Sequence, residues 1–149
     1  MHGSWPDIAG AVPKADVVVC HNVLYNAPEL LGFVSALSAH ARRRVVIEIT
    51  ERHPQVTRAP RWRHFWGLDR PSGPDALLAA EVLREAGFPI VIERTAATGR
   101  DDGREARVEA AFWCRQLCLP PEREDEVAAL LRDLPFPSSR VTLWWHTAA

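Results

Sequence analysis

Two β-branched runs flank a stretch patterned as a helix, and this strand, helix, strand unit limits the architectures open to the chain. The first run is Ala15-Asp16-Val17-Val18-Val19-Cys20 and the second is Val45-Val46-Ile47-Glu48-Ile49-Thr50. The first does not alternate apolar with polar residues, the pattern of a strand covered on both faces, and so predicts a central parallel strand. Between them Asn26-Ala27-Pro28-Glu29 reads as a helix start, with Asn26 able to cap, Pro28 in the first turn and Glu29 near the positive dipole end. Leu30, Phe33, Val34, Leu37 and Ala41 then recur at helical spacing. Arg42, Arg43 and Arg44 are expected to close that helix, where cations suit the negative dipole end. A connection of this length lets the two strands run parallel.

The chain continues with a long irregular segment, Glu51 to Gly73, too rich in aromatics for disorder and of a length usually tied to function. Ser72-Gly73-Pro74-Asp75 reads as a second capped helix start, and Leu78, Ala79, Val82, Leu83 and Ala86 are its expected buried face, ended by Gly87. Ile90 to Arg94 predicts a third strand. After the polar stretch Thr98 to Arg104, the apolar run Val108 to Leu119 is expected to return antiparallel to it, forming a hairpin. Pro120 and Pro121 end that run. Glu122 to Leu134 follows with helical spacing, and Val141 to Trp145 is a possible last strand. The expected organisation is one domain over 1–120, with 121–149 as a helix-and-strand extension packed on it.

Composition removes several function classes. The 149 residues are 47% apolar and 25% charged, within the range of a soluble globular chain. The 18 basic and 19 acidic side chains leave a net charge of −1, so no overall field favours nucleic acid, and a neutral or small-molecule partner is the natural expectation. No apolar stretch approaches the ~18 residues that span a bilayer, and Met1 to Gly10 lacks the regions of a signal peptide, so a cytoplasmic protein without a membrane partner is expected. Cys20, Cys114 and Cys118 make an odd number without a C-x-x-C pair and read as reduced thiols. Neither metal-ligand spacings nor the G-x-S-x-G and P-loop motifs occur, and Tyr25 is followed four positions later by Glu29 rather than a lysine. No metal is expected.

The sequence Ala15-Asp16-Val17-Val18-Val19-Cys20-His21-Asn22-Val23-Leu24-Tyr25-Asn26, together with two crossovers and a reversed closing pair of strands, resembles class I S-adenosylmethionine (SAM) methyltransferases. The likeness is greatest to small-molecule enzymes of the type 11 and type 12 groups, especially actinobacterial ones. In that resemblance Ala15–Cys20 is the fourth strand, Val45–Thr50 the fifth, Phe88–Thr95 the sixth and Glu109–Leu119 the seventh, antiparallel one. The implied fold is a partial Rossmann-like α/β methyltransferase sheet comprising strands four to seven. The likeness covers Gly3 to Pro120, with Gly3-Ser4-Trp5-Pro6 resembling the segment after the family's adenine-contacting acid. The glycine-rich turn and ribose-binding acid have no counterpart in the sequence. The resemblance therefore implies weak binding of the cofactor SAM unless a missing N-terminal half completes the sheet, and an exposed sheet edge open to self-association.

Ligands of open α/β sheets bind beyond the carboxyl ends of the strands, which singles out the loops after Cys20 and after Thr50. The resemblance assigns cofactor contacts to Cys20, His21, Asn22 and Val23. Methyl transfer needs alignment and exclusion of water, with a base only where the acceptor must lose a proton, and His21, His53 and His64 are the candidates. Tyr25, Trp62 and Trp66 are candidates for a substrate pocket. Each of these side chains also has a purely structural reading, as a hydrogen-bonded loop histidine or a packed ring. A non-catalytic remnant or interaction module that keeps the α/β core is the alternative function.

Overall fold

In the computed structural model the described residues are 2–71, 73–96, 106–133 and 139–147. Ser72, the polar stretch Thr98 to Arg104 and Leu134 lie outside them. Strand β1 (Ala15–His21) runs parallel to β2 (Ala41–Thr50), in register from Val17 opposite Arg44 to His21 opposite Glu48. Helix α1 (Leu30–His40) connects them and buries Phe33, Val34 and Leu37. Its cap is Glu29, whose carboxylate accepts from the Gly32 amide. Asn26 instead ends a 3-10 turn over Leu24–Asn26, which displaces the expected helix start.

The arginine run does not close this helix. The helix stops at His40, and Arg42, Arg43 and Arg44 are already extended in β2. Their partners explain the difference: Arg42 pairs with Asp16 across the parallel ladder, and the Arg44 guanidinium lies 4.7 Å from the Trp144 ring centroid. Pairing with strands on two sides outweighs a dipole interaction worth well under ~1 kcal/mol at the surface.

Beyond β2 lie α2 (Ala59–Trp66), α3 (Ala76–Glu85), β3 (Val91–Thr95), α4 (Ala106–Gln116), α5 (Glu124–Asp133) and β4 (Arg140–His146). The four strands form one sheet in the order β1-β2-β4-β3. β4 is antiparallel to both β2 and β3, so β1, β2 and β3 all point the same way around one reversed strand. The apolar run Val108 to Leu119 is therefore not the returning strand. It folds as α4, and the reason is visible in its spacing: Ala110, Trp113, Cys114 and Leu117 stand at i, i+3, i+4 and i+7 and are all buried.

By contacts the chain forms two units: residues 1–53, 74–96 and 139–149, and residues 54–73 and 97–138. Segment 121–149 contributes to both, with α5 in the second and β4 in the first. In the first unit, Val45, Ile47 and Ile49 of β2 and Val141, Leu143 and Trp145 of β4 face α1 and α3 in one core. Alternate residues point the other way. On β1 these residues are exposed, Val17 at 48% and Val19 at 66%. β1 is thus the edge of the sheet and not a central strand covered on both sides; of its residues only Cys20 is buried. Asp75 caps α3 by accepting from the Leu77 and Leu78 amides at 3.0 and 2.9 Å. This start turns Ala76, Ala80 and Leu83 inward and leaves Leu78 and Ala86 exposed, a rotation from the expected face. Gly87, at φ +90°, ends the helix as expected.

In the second unit, α2, α4 and α5 enclose Ala110, Trp113, Cys114, Leu117, Leu119 and Val127, with Trp62 and Phe65 packed against them. Arg61 is buried there with its guanidinium 4.5 Å from the Trp113 ring centroid, a cation–π contact in place of solvent. The irregular segment after β2 thus contains a helix, α2, whose rings Trp62 and Phe65 pack into this core.

Candidate functional site

The parallel register brings the ends of β1 and β2 level, so His21 and Glu48 are direct neighbours on the sheet face away from the core. His21 Nε2 lies 2.8 Å from Glu48 Oε1. On the other side of β2, Arg140 opens β4 opposite Thr50, which sets it diagonally across from Glu48. Its guanidinium donates to Glu48 Oε1 at 2.6 Å, and this hydrogen bond, with the smaller influence of His21, holds the carboxyl below the usual glutamate range. The Arg140 Nη1 and Asn22 Nδ2 atoms are 3.5 and 3.4 Å from His21 Nε2. Asn22 adopts a left-handed backbone, φ +55°, and its amide donates to the Glu48 carbonyl at 2.8 Å, turning the chain sharply out of β1. The His21 side chain remains 54% exposed.

A second group lies two residues along β2. The Tyr25 hydroxyl donates to the Thr50 carbonyl, and its ring meets that of His53 in a T-shaped contact, 4.7 Å between centroids. Burial raises the Tyr25 hydroxyl pKa, so the phenol stays protonated and remains a donor. Glu51 pairs with Arg94 from the end of β3 at 3.6 Å, and its carbonyl accepts from the Ala76 amide at the start of α3. The carboxyl ends of β1, β2 and β3 therefore carry His21, Asn22, Glu48, Tyr25, His53, Glu51 and Arg94 on one rim of the first unit. An apolar groove of about 430 Å³ runs along the free edge of β1, past Trp5, Val12, Val18, Val19 and Phe33, and includes His21.

Of the cofactor-contact candidates, Asn22 and His21 stand on this rim and Val23 is 44% exposed beside them. Cys20 faces the core, where burial raises its thiol pKa. Tyr25 and His53 stand together. Trp62, His64 and Trp66 belong to the second unit: Trp62 packs on its core under Arg70, His64 pairs with Glu126 at 3.3 Å, and the Trp66 indole donates to the Leu117 carbonyl at 2.8 Å. No group of three or more His, Cys, Asp or Glu side chains among the described residues is placed to hold a metal ion. Among them, too, no helix is long and apolar enough to cross a membrane.

Glu48 and Arg140 are site residues that the candidate set omits. Glu48 carries a signal, since an ionisable residue inside Val45-Val46-Ile47-Glu48-Ile49 is unusual in a buried strand. Arg140 carries none, because it reaches Glu48 only once β4 enters the sheet beside β2. No family model matches the chain, and no curated protein is similar to it at a significant level.

Proposed function

We propose that this chain is part of a SAM-dependent methyltransferase acting on a small molecule, with its reacting groups on the rim formed by His21, Asn22, Tyr25 and Glu48. One observation carries the reading. Three strands point the same way around a reversed final strand, and the polar residues gather at the carboxyl ends of the three, where ligands of open α/β sheets bind.

The residues present fit one end of such a cofactor. The Asn22 side chain offers polar groups beside β1, and the Tyr25 phenol, whose proton goes to the Thr50 carbonyl, can accept a hydrogen bond next to it. When bound, the cofactor supplies an activated methyl group. The protein's share is to orient the acceptor, exclude water and accept a proton where one must leave. Glu48 and Arg140 hold His21 in place for that role, and Tyr25 with His53 form an adjoining wall.

The test is an amide-resolved NMR titration with S-adenosylhomocysteine, which registers weak binding as well as strong. The expected result is a set of shifts confined to residues 20–25 and 48–53. No shift at millimolar ligand would overturn the assignment. The exposure of Val17 and Val19 on a free sheet edge favours a second reading, an interaction module that pairs its edge with another chain. In that case the ligand leaves the rim unchanged.

A further inference from the structure

A neutral imidazole has one nitrogen that donates and one that accepts, and the protein around it decides which is which. At His21 the three neighbours of Nε2 disagree. Glu48 offers a carboxylate oxygen at 2.8 Å, whereas Asn22 and Arg140 offer N–H groups at 3.4 and 3.5 Å. The distances settle the conflict. A carboxylate and an unprotonated nitrogen at 2.8 Å would set two lone pairs against each other, while donors at 3.4 and 3.5 Å lie beyond ordinary hydrogen-bond lengths. Glu48 also stays ionised, because Arg140 donates to the same oxygen at 2.6 Å. Among the described residues no hydrogen bond occupies Nδ1.

We propose that Glu48, braced by Arg140, fixes His21 as the Nε2–H tautomer, so that Nδ1 is the proton acceptor for a substrate hydroxyl or amine. The substrate class follows, and it rests on the methyltransferase reading. The acceptor carries a proton that it must lose, as a phenol, alcohol or protonated amine does, and is not one that is already deprotonated. The substrate O–H or N–H bond breaks with its electron pair left on the heteroatom, and the proton joins the Nδ1 lone pair. That freed pair forms the new bond to the methyl carbon, and the pair of the broken C–S bond remains on sulfur. The imidazolium produced faces Glu48, with Arg140 and the neutral Asn22 as its other neighbours. Glu48 and Arg140 act through His21 and are positioning residues.

Long-range proton–nitrogen NMR of ¹⁵N-labelled protein, at a pH where His21 is neutral, reads the tautomer directly. In the wild type the Nε2–H form is expected to exceed the other by about tenfold or more, as a hydrogen bond to a charged group would give. In Glu48→Ala the short contact that holds the proton on Nε2 is gone, so the excess of the Nε2–H form should fall. An Nδ1–H tautomer in the wild type overturns the proposal, and so does an unchanged ratio in folded Glu48→Ala. If that variant does not fold, the wild-type spectrum still decides. Titration with phenol, whose hydroxyl keeps its proton at such a pH, is expected to move the Nδ1 resonance more than that of Nε2; the reverse, or no movement at all, refutes the choice of atom. Failure of S-adenosylhomocysteine to bind removes methyl transfer without entering the tautomer measurement, so the two claims fall separately.

Discussion

Replacing Leu143 by Ala tests whether β4 is built into the middle of the sheet. Leu143 is fully buried, lies opposite Ile47 of β2 on one side and Ile92 of β3 on the other, and shares the core of α1 and α3. The substitution removes three carbons, which at ~0.8 kcal/mol each is about 2.4 kcal/mol of transfer free energy. A strand paired on both edges has little room to close the gap, and the residual cavity adds roughly 1 kcal/mol or more, for a total of about 3–4 kcal/mol. Native-state amide hydrogen exchange measures this within the first unit. Protection of the slowest amides in β2 and β4 should fall by about two to three powers of ten, since 1.4 kcal/mol is tenfold. Val19→Ala, at a site 66% exposed, is the control and should change protection by less than about threefold. A fall of less than tenfold in Leu143→Ala, or an equal fall in both variants, would refute the placement of β4 between β2 and β3.

Three further outcomes are expected. Asp75→Ala should destabilise α3 by about 1 kcal/mol through loss of its two capping bonds, while Asp75→Asn, which keeps an acceptor, should cost only a few tenths; equal losses in thermal melts would argue against the cap. The Arg140 hydrogen bond holds the Glu48 carboxyl below its ordinary value of 4.5, so its contribution to stability is complete above that value and is lost as pH falls through the lower folded one. As pH falls below 4.5 amide protection in β2 should therefore decline, and Arg140→Ala should flatten that part of the profile. Burial raises the thiol pKa of Cys20 and Cys114, whereas Cys118 is exposed. A thiol-reactive disulfide reagent should modify Cys118 quickly and the other two only on unfolding, and a second fast thiol would contradict their placement.

Much of the first unit is written locally. The β-branched runs at Ala15 and Val45, the helical spacing of Phe33, Val34 and Leu37 between them, and Ile90 to Arg94 all specify elements through short-range pattern, and the parallel pairing follows from the length of the crossover. His21, Asn22 and Tyr25 could be placed on the carboxyl rim for the same reason. Where local signals compete, apolar density misleads: Val108 to Leu119 is dense enough for a strand, yet its buried residues keep helical spacing.

What only the tertiary structure decided is which segment fills the gap between β2 and β3, and hence which charges meet there. Val141, Leu143 and Trp145 fit because their alternation matches Ile49, Ile47 and Val45 across an antiparallel ladder, a complementarity between segments distant in the chain. Arg140 meets Glu48 across a separation of 92 residues. Neighbouring residues set helix and strand through sterics and side-chain period, but an ion pair of this kind exists only after the sheet has closed around it.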